Sequence, residues 1–445
     1  MHYTLPNDVK NILEKFSKNK FQIYIVGGAV RDLLMNKQVK DWDFTTDASP
    51  DEILKLFPEG FYDNKFGTVG ISMEDNQIYE ITTMRKEGIY KDHRHPVEVS
   101  WTNKIEEDLA RRDFTINALA LSSQNHLVDP FHGQQDITNK IIKAVGNPNL
   151  RFEEDALRLI RAIRIATQTG FDIEEKTLKA IKENVQSLTQ IAWERIRDEL
   201  FKIVISENSY EGVTKLKETG ILQIILPELT ACFGILQEGP KHDRTYDIGE
   251  HSLLTLKFTP SNDPLVKFAA LLHDIGKFNT QKKDPTGNVT FYNHEVVGAN
   301  LALKIAQRFN LAKKQSDKLF KLIRFHMFTV TEEQTDSAIR RFIKNVGLEN
   351  IDDLMAVRIG DRLGGGTKNE VSWRMEKFQE RIKEVLKKPF SIADLKINGK
   401  DIMNELNIKP GPKVGEILQK LFEEVLEDAS KNNRDFLIQK TKEFA

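Results

Sequence analysis

Apolar and polar positions change rhythm partway along the chain. Ahead of Pro148 short apolar runs alternate with charged turns, whereas beyond it apolar residues recur at three- and four-residue intervals. Val9, Ile12, Leu13 and Phe16 predict an amphipathic helix within residues 1–20 that packs on a sheet. The run Ile23-Tyr24-Ile25-Val26 predicts a strand stopping at Gly27-Gly28, followed by a short helix over 29–35 and a second strand carrying Asp41-Trp42-Asp43-Phe44. Ser49-Pro50 caps a helix over 51–57, and strands are expected over 66–72 and 77–83. Residues 86–101, KEGIYKDHRHPVEVSW, predict a mobile loop. Residues 106–121, EEDLARRDFTINALAL, carry a helical apolar pattern ending in Ala118 to Leu121. Further on, 151–167 predict one strong helix with Leu157, Ile160, Ile163 and Ile165 on a buried stripe. The end of the chain predicts a helix, a Pro410-Gly411-Pro412 elbow and a second helix from near Val414.

Composition narrows the class without naming a chemistry. At 445 residues the chain exceeds one core, so two or more domains are expected. A single cysteine, Cys232, excludes an intrachain disulfide and fits a reducing cytosol. The first residues lack the apolar core of a signal peptide, and no stretch is apolar enough to span a bilayer; the expectation is a cytoplasmic protein with no membrane partner. With a net charge of −1 the whole chain offers no field for nucleic acid, so such a partner must be held by local basic patches. Each patch reads equally as a solvated helix face.

Chemistry concentrates in the strand-helix-strand unit. A strand breaking at paired glycines into a helix presents backbone N–H groups and a positive dipole end, which suits a phosphate. Alternation along a strand puts Asp41 and Asp43 on one face, a hard-oxygen pair for Mg²⁺ that shares its octahedron with substrate phosphates. Alone, the glycines could be a tight turn and the acids an exposed loop pair. Glu80 is the one acid in the apolar run YEITTMR; it completes a three-acid cluster or belongs to an edge-strand salt bridge. Asp108, Arg111, Arg112, Asp113 and Asn117 crowd one segment, with forked donors for triphosphate and groups that orient a ribose or the arginines. The turn Asp129-Pro130-Phe131-His132-Gly133 with Asp136 is expected to brace the site's wall. Asp155 and Arg158 are i,i+3 neighbours on the expected helix, by default an ion pair. An acceptor fixed beside a donor also matches the Watson–Crick edges of cytosine and adenine and repels those of uracil and guanine.

Taken in order, GGAVRD with DWD, EITTMR, RRDFTINA, DPFHGQQD and EEDALRLIRAIR resemble the successive motifs of the class II tRNA nucleotidyltransferase family, the CCA-adding enzymes and related bacterial poly(A) polymerases. The close resemblance covers about the first half of the chain. It implies an α+β protein: a nucleotidyltransferase head with a mixed sheet and helices (1–140), then an all-α neck (141–205), body (206–245), HD metal-binding domain (246–375) and tail (376–445). It implies template-independent addition of C, C and A from CTP and ATP to the 3′ end of tRNA, with pyrophosphate release. Asp41 and Asp43 would be the Mg²⁺ ligands and Glu80 the third catalytic acid. Gly27, Gly28, Arg31, Arg111, Asp113, Asn117, Asp155, Arg158, Arg161 and Arg164 would bind nucleotide. Asn36, where the family often has Gly, tolerates a left-handed helix end; His132 replaces one glycine of a Gly-Gly turn. The length of the 86–101 loop argues against an enzyme adding only CC.

His251, His273-Asp274, His294, His326 and Asp361 form a ligand set suited to a divalent hydrolytic centre of one or two metals, and resemble an HD phosphohydrolase domain. Lys409 and Lys413 beside the tail elbow resemble the tRNA-holding segment of HD-bearing members. Competing readings are an enzyme adding only A, a poly(A) polymerase, an HD hydrolase acting on 2′,3′-cyclic or monoester phosphates, and a non-enzymatic RNA-binding scaffold. Both a monomer and a homodimer fit.

Overall fold

A computed structural model describes residues 3–62, 67–72, 77–88, 99–238, 245–285, 287–328, 335–367, 369–386 and 392–444. The chain divides into two compact units, Met1–Thr230 and Ala231–Ala445.

The first unit is built on a mixed seven-stranded sheet in the order β3-β4-β5-β2-β1-β8-β9. Its strands are β1 (Ile23–Val26), β2 (Asp43–Thr46), β3 (Phe61–Tyr62), β4 (Thr68–Ser72), β5 (Ile78–Thr83), β8 (Ala120–Ser122) and β9 (Leu127–Val128), while β6 (Arg85–Glu87) and β7 (Val99–Trp101) pair separately. All contacts in the sheet are antiparallel except β2 with β5. The helix Asn7–Lys18 buries Val9, Ile12, Leu13 and Phe16 in a core with Ile23, Ile25, Trp42 and Phe44, as its spacing predicts. Ser49 caps the helix Pro50–Leu56 through a reciprocal pair with Glu52.

Four local expectations need correction. Strand β2 begins at Asp43, so Asp41 and Trp42 lie on its approach and only Asp43 is in the ladder. Of the expected mobile loop, 89–98 lie outside the described residues, but its ends are tied as the β6–β7 pair. The expected helix over 106–121 is a short helix, Ile105–Ala110, then a 3₁₀ turn, Thr115–Asn117, and then β8. The expected helix over 151–167 is two helices, Pro148–Glu154 and Leu157–Thr169, broken at Asp155 in an extended conformation. Backbone periodicity on either side of that break is helical, so the apolar pattern ran through it unmarked.

Two departures from the family motif are accommodated as left-handed residues: Asn36 at φ 54° and His132 at φ 60°. His132 precedes the helix Gly133–Asn139, whose first residue lies so close to the Thr115 carbonyl that a Cβ there would meet it at 2.2 Å. Asp129 accepts from the Gly133 and Gln134 N–H groups, and Thr115 donates to Asp136 at 2.6 Å. That turn therefore braces the 3₁₀ segment bearing Asn117.

The second unit is helical with short β pairs. Helices Ile248–Phe258, Pro264–Leu272, His294–Arg308, Lys313–Arg324 and Ile351–Gly364 surround one buried polar cluster. The last segment packs Gly399–Leu406, Pro412–Glu427 and Arg434–Glu443 around Ile402, Ile417, Leu421 and Leu437. Among the described residues no helix is long and apolar enough to cross a membrane.

Candidate active site and a second polar cluster

In the first unit a cleft of about 310 Å³ is lined by Gly27, Gly28, Asp43, Arg111, Arg112, Asp113, Asn117, Asp155, Leu157, Arg158, Arg161 and Arg195. Most nucleotide-binding residues expected from sequence thus share one cavity. Gly27 sits at φ 70°, which favours glycine, and opens the helix Gly28–Leu34. A Cβ there would come within 3.1 Å of Arg112 Nη1 and 3.7 Å of Asp43 Oδ2, so the glycine also keeps room between those groups.

Asp41 and Asp43 are both exposed, with Trp42 buried between them. Crowding by surrounding protein raises the Asp43 pKa; Arg112 and Arg161 pull it down, and the like charge of Asp41 pushes it further up. Two close carboxylates with this tension favour a bound cation, and hard oxygen donors match Mg²⁺. Glu80 is not the core-facing acid its apolar run suggested. It is exposed and stands level with Asp43 across the parallel β2–β5 pair, which puts both side chains on one face. Even so, Asp41, Asp43 and Glu80 are not drawn into a trio of ligand atoms within 4.8 Å of each other; among the described residues such trios occur in the second unit.

The arginines divide their labour. Arg111 spends its guanidinium on the fully buried Asp108, at 2.8 and 3.0 Å, while Arg112 reaches Asp108 at 3.3 Å and leaves Nε without a partner. Burial alone would raise Asp108, but these two arginines hold it below the usual carboxylate range. Arg31 donates to Asn117 Oδ1 and Asp32, and Asn117 donates to Asp113 Oδ1. Arg161 grips Asp113 Oδ2 at 2.6 and 2.9 Å, and Asp113 is held far below its ordinary value despite full burial, chiefly by Arg161. Arg164 does not line the cleft; it pairs with Glu199 at 2.5 Å and with Gln168.

Asp155 and Arg158 make no ion pair with each other, contrary to the i,i+3 expectation. Asp155 lies in the helix break, caps Leu157 N at 3.1 Å and pairs with Arg195 at 3.1 Å. Arg158 is held by Glu154 at 2.6 Å and by the carbonyls of Arg151 and Arg111 at 3.0 Å. Sequence reasoning missed Arg195 and Glu154, which lock the expected template, and Glu199, which holds Arg164; their only signal was charge inside otherwise amphipathic helices.

In the second unit the six expected ligands converge. Asp274 Oδ1 lies 3.3 Å from His294 Nε2 and 3.7 Å from His326 Nε2, while Oδ2 lies 3.2 Å from His273 Nε2 and 3.7 Å from His251 Nε2. His251 Nε2 is 3.2 Å from Asp361 Oδ1. The Nδ1 atoms of His273, His294 and His326 lie 2.7–2.9 Å from carbonyls of Ala270, Phe291 and Ile323. A carbonyl can only accept, so each Nδ1 carries a proton, which leaves Nε2 as the ring atom facing Asp274. Burial, with His273 and His294 nearby, lowers His326 to about 3, so its ring is neutral. His251 Nδ1, His273 Nε2 and Asp274 Oδ1 are buried without hydrogen-bond partners. Imidazole nitrogens and carboxylate oxygens gathered within 4.8 Å of one another, as in His251, His273 and Asp361 and in His273, Asp274 and His326, fit a divalent cation. Lys409 and Lys413 are exposed beside the start of the helix Pro412–Glu427.

Comparison with known proteins bears on both units. The poly A polymerase head domain family matches residues 23–143, the probable RNA and SrmB-binding site of polymerase A matches 170–233, and a putative tRNA nucleotidyltransferase domain 2 matches 302–441. The chain is 46% identical to the CCA-adding enzyme of Enterococcus faecalis over 224 residues, 49% of this chain and 55% of that one. It is 34% identical to the CCA-adding enzyme of Staphylococcus saprophyticus over 426 residues, 95% of this chain and 94% of that one. The A-adding tRNA nucleotidyltransferase of Deinococcus radiodurans is 32% identical over 413 residues, 90% of each chain. The crystal structure of the Bacillus stearothermophilus CCA-adding enzyme in complex with CTP has the same fold, with a TM-score of 0.72 at 24% identity over 99% of this chain and 98% of that one. With a cleft of the expected residues and a near full-length match, this protein belongs to the CCA-adding tRNA nucleotidyltransferase family.

Proposed function

We infer that this chain adds C, C and A, without a nucleic-acid template, from CTP and ATP to the 3′ end of tRNA, releasing pyrophosphate. The observation that carries this reading is the single cleft joining the Gly27-Gly28 turn and Asp43 to Asp155 and Arg158. Asp41 and Asp43 are the residues to hold Mg²⁺, with Glu80 beside them. Bound there, the metal supplies Lewis acidity to the triphosphate and lowers the pKa of the attacking 3′-hydroxyl. The Gly27 and Gly28 backbone receives the phosphates, with Arg31 and Arg112 offering positive charge. Asp113 and Asn117 are the groups to orient the ribose. The hydroxyl gives its proton to solvent, its oxygen bonds to the α-phosphorus, and the bond from that phosphorus to the oxygen bridging to the β-phosphate breaks, so pyrophosphate leaves.

Asp155 offers an acceptor and Arg158 a donor to the incoming base. Because Arg195 and Glu154 immobilise the two, wrong bases meet a rigid mismatch rather than a side chain that can turn away. Cytosine and adenine both present an amino donor beside a ring acceptor, so one pair serves both. Exposed Lys409 and Lys413, with the helical segments, fit a grip on tRNA by backbone charge and shape. The test is incubation with tRNA transcripts ending at the discriminator base, at C and at CC, each with single labelled nucleotides. Extension of all three, with C, C and A in turn, is expected; extension of the CC-ended transcript alone would make the protein an A-adding enzyme.

A second reading is favoured by the gathered imidazoles and carboxylates of the second unit. Its His251, His273, Asp274, His294, His326 and Asp361 cluster binds divalent metal in the manner of an HD domain.

A further inference from the structure

The nucleotide cleft of the first unit reaches Asp43 from the β1 side. Its lining holds Gly27 and Gly28 at the end of β1 and, among the described residues, none from β3, β4 or β5. Beyond Asp43 the sheet continues in one unbroken row: Val26 stands level with Asp43, Asp43 with Glu80, Glu80 with Gly70, and Gly70 with Phe61. Residues level with one another share a face, so Glu80 and Phe61 point the same way as Asp43. Open and buried positions alternate along β5, with Ile78 and Glu80 open and Tyr79 and Ile81 buried, so Ile78 belongs to that face as well. Ile78 is 56% exposed and Phe61 44%. The Phe61 ring is nonetheless held in place. Its tip occupies the space of the side chain that Gly70 lacks, since a Cβ on Gly70 would meet Phe61 Cζ at 2.5 Å. Covering that glycine is one use of the ring. An aromatic face fixed on the sheet and still half open to water, in register with the carboxylates, also suits a base.

We propose that the open face of β3, β4 and β5 seats the unpaired 3′-terminal nucleotides of the RNA primer, with Phe61 stacking a base, Ile78 packing beside it and Glu80 next to the terminal hydroxyl. This rests on the nucleotidyltransferase reading above. An in-line displacement puts the attacking oxygen opposite the leaving one. With the triphosphate received at Gly27 and Gly28, pyrophosphate departs toward β1, so the 3′-hydroxyl enters over Glu80 from the side of β4 and β3. Neighbouring strands lie about 4.8 Å apart, which puts Phe61 roughly 14 Å from Asp43, within reach of a nucleotide just behind the reacting one. Stacking tolerates any base, and the primer end changes identity after each addition, so a platform without base-specific contacts is what such an end requires.

The experiment uses the full chain and tRNA transcripts ending at C and at CC, with matching transcripts that carry an abasic nucleotide or 2-aminopurine at each of the last unpaired positions in turn. Phe61→Leu keeps an apolar cover on Gly70 and removes the aromatic face. It should raise KM for the transcript by about 5–100-fold with KM for CTP and ATP unchanged, and Phe61→Tyr should restore the wild-type value. Tyr62→Leu is the control: Tyr62 is 48% exposed on the opposite face of the same strand, and its loss should leave the transcript KM as it was. An abasic nucleotide at the stacked position should raise the wild-type KM by a similar factor and make Phe61→Leu without further effect. 2-Aminopurine reads stacking without catalysis; its fluorescence should be quenched on the wild type and recover on Phe61→Leu. Transcript KM and quenching indifferent to Phe61→Leu, with incorporation intact, overturn the proposal and leave the nucleotide-adding reading standing. Equal losses in Phe61→Leu and Tyr62→Leu also overturn it, because they mark a structural role for the strand. Failure of the unaltered chain to incorporate CTP or ATP removes both readings.

Discussion

The two polar centres of this molecule place their carboxylates and imidazoles in opposite surroundings. In the first unit Asp41 and Asp43 are exposed, Glu80 stands apart from a closed trio, and most of the surrounding arginines are bonded to neighbouring acids or carbonyls. In the second unit His251, His273, Asp274 and His326 are buried, and Asp274 alone faces four histidines. An open carboxylate pair would leave coordination positions for a substrate's phosphates, so an ion there would arrive with the nucleotide. A buried shell of imidazoles and carboxylates would enclose an ion before any substrate comes. The lesson is that burial would separate a substrate-borne metal from a resident one.

The largest expected effect breaks the open centre. Asp43→Ala should cut nucleotide incorporation by about 10³-fold or more while tRNA retention in a gel shift persists, since the metal pair carries the chemistry and not the grip. Chelation sharpens the contrast. After brief exposure to chelator, incorporation should return on mixing with Mg²⁺, whereas Mn²⁺ preloaded in the second unit should remain measurable by elemental analysis; equal loss from both centres would erase the distinction.

Next in size is the Asp113–Arg161 pair, which ties the 3₁₀ segment to the helix Leu157–Thr169. Asp113→Asn should destabilise the first unit by about 1–3 kcal/mol in a denaturant titration, because it takes the charged partner from the part-exposed Arg161 guanidinium. The folded pKa of Asp113 lies below its unfolded value, so its stabilisation is complete above about pH 4 and lost as pH falls through the folded pKa. The difference between wild type and variant should therefore shrink only under strongly acidic conditions. The smallest effect concerns selection. Arg158→Ala should reduce discrimination against UTP by about 10–100-fold in competition assays, with tRNA affinity nearly unchanged.

Much of the first unit was legible because its signals are local. The stripe Val9, Ile12, Leu13 and Phe16, the β1 run ending at Gly27 and the Ser49 cap each depend on residues within one turn or strand. The motif order carried the identity of the cleft residues for the same reason. What stayed hidden was set by distant partners. Asp155 looked helical until its pairing with Arg195, forty residues on, is seen alongside the break between the two helices. Glu80 looked like a core acid because its neighbours are apolar, but the sheet turns its face beside Asp43.

Periodicity, capping and spacing determined the elements and most of the chemical groups, since those depend on backbone geometry repeated over a few residues. Tertiary structure alone decided which groups meet: Asp43 with Arg112, Asp155 with Arg195, and Asp274 with four histidines. The reason is that a side chain's partners, and with them its charge state and freedom to bind, come from packing between segments far apart in the chain, which no local pattern records.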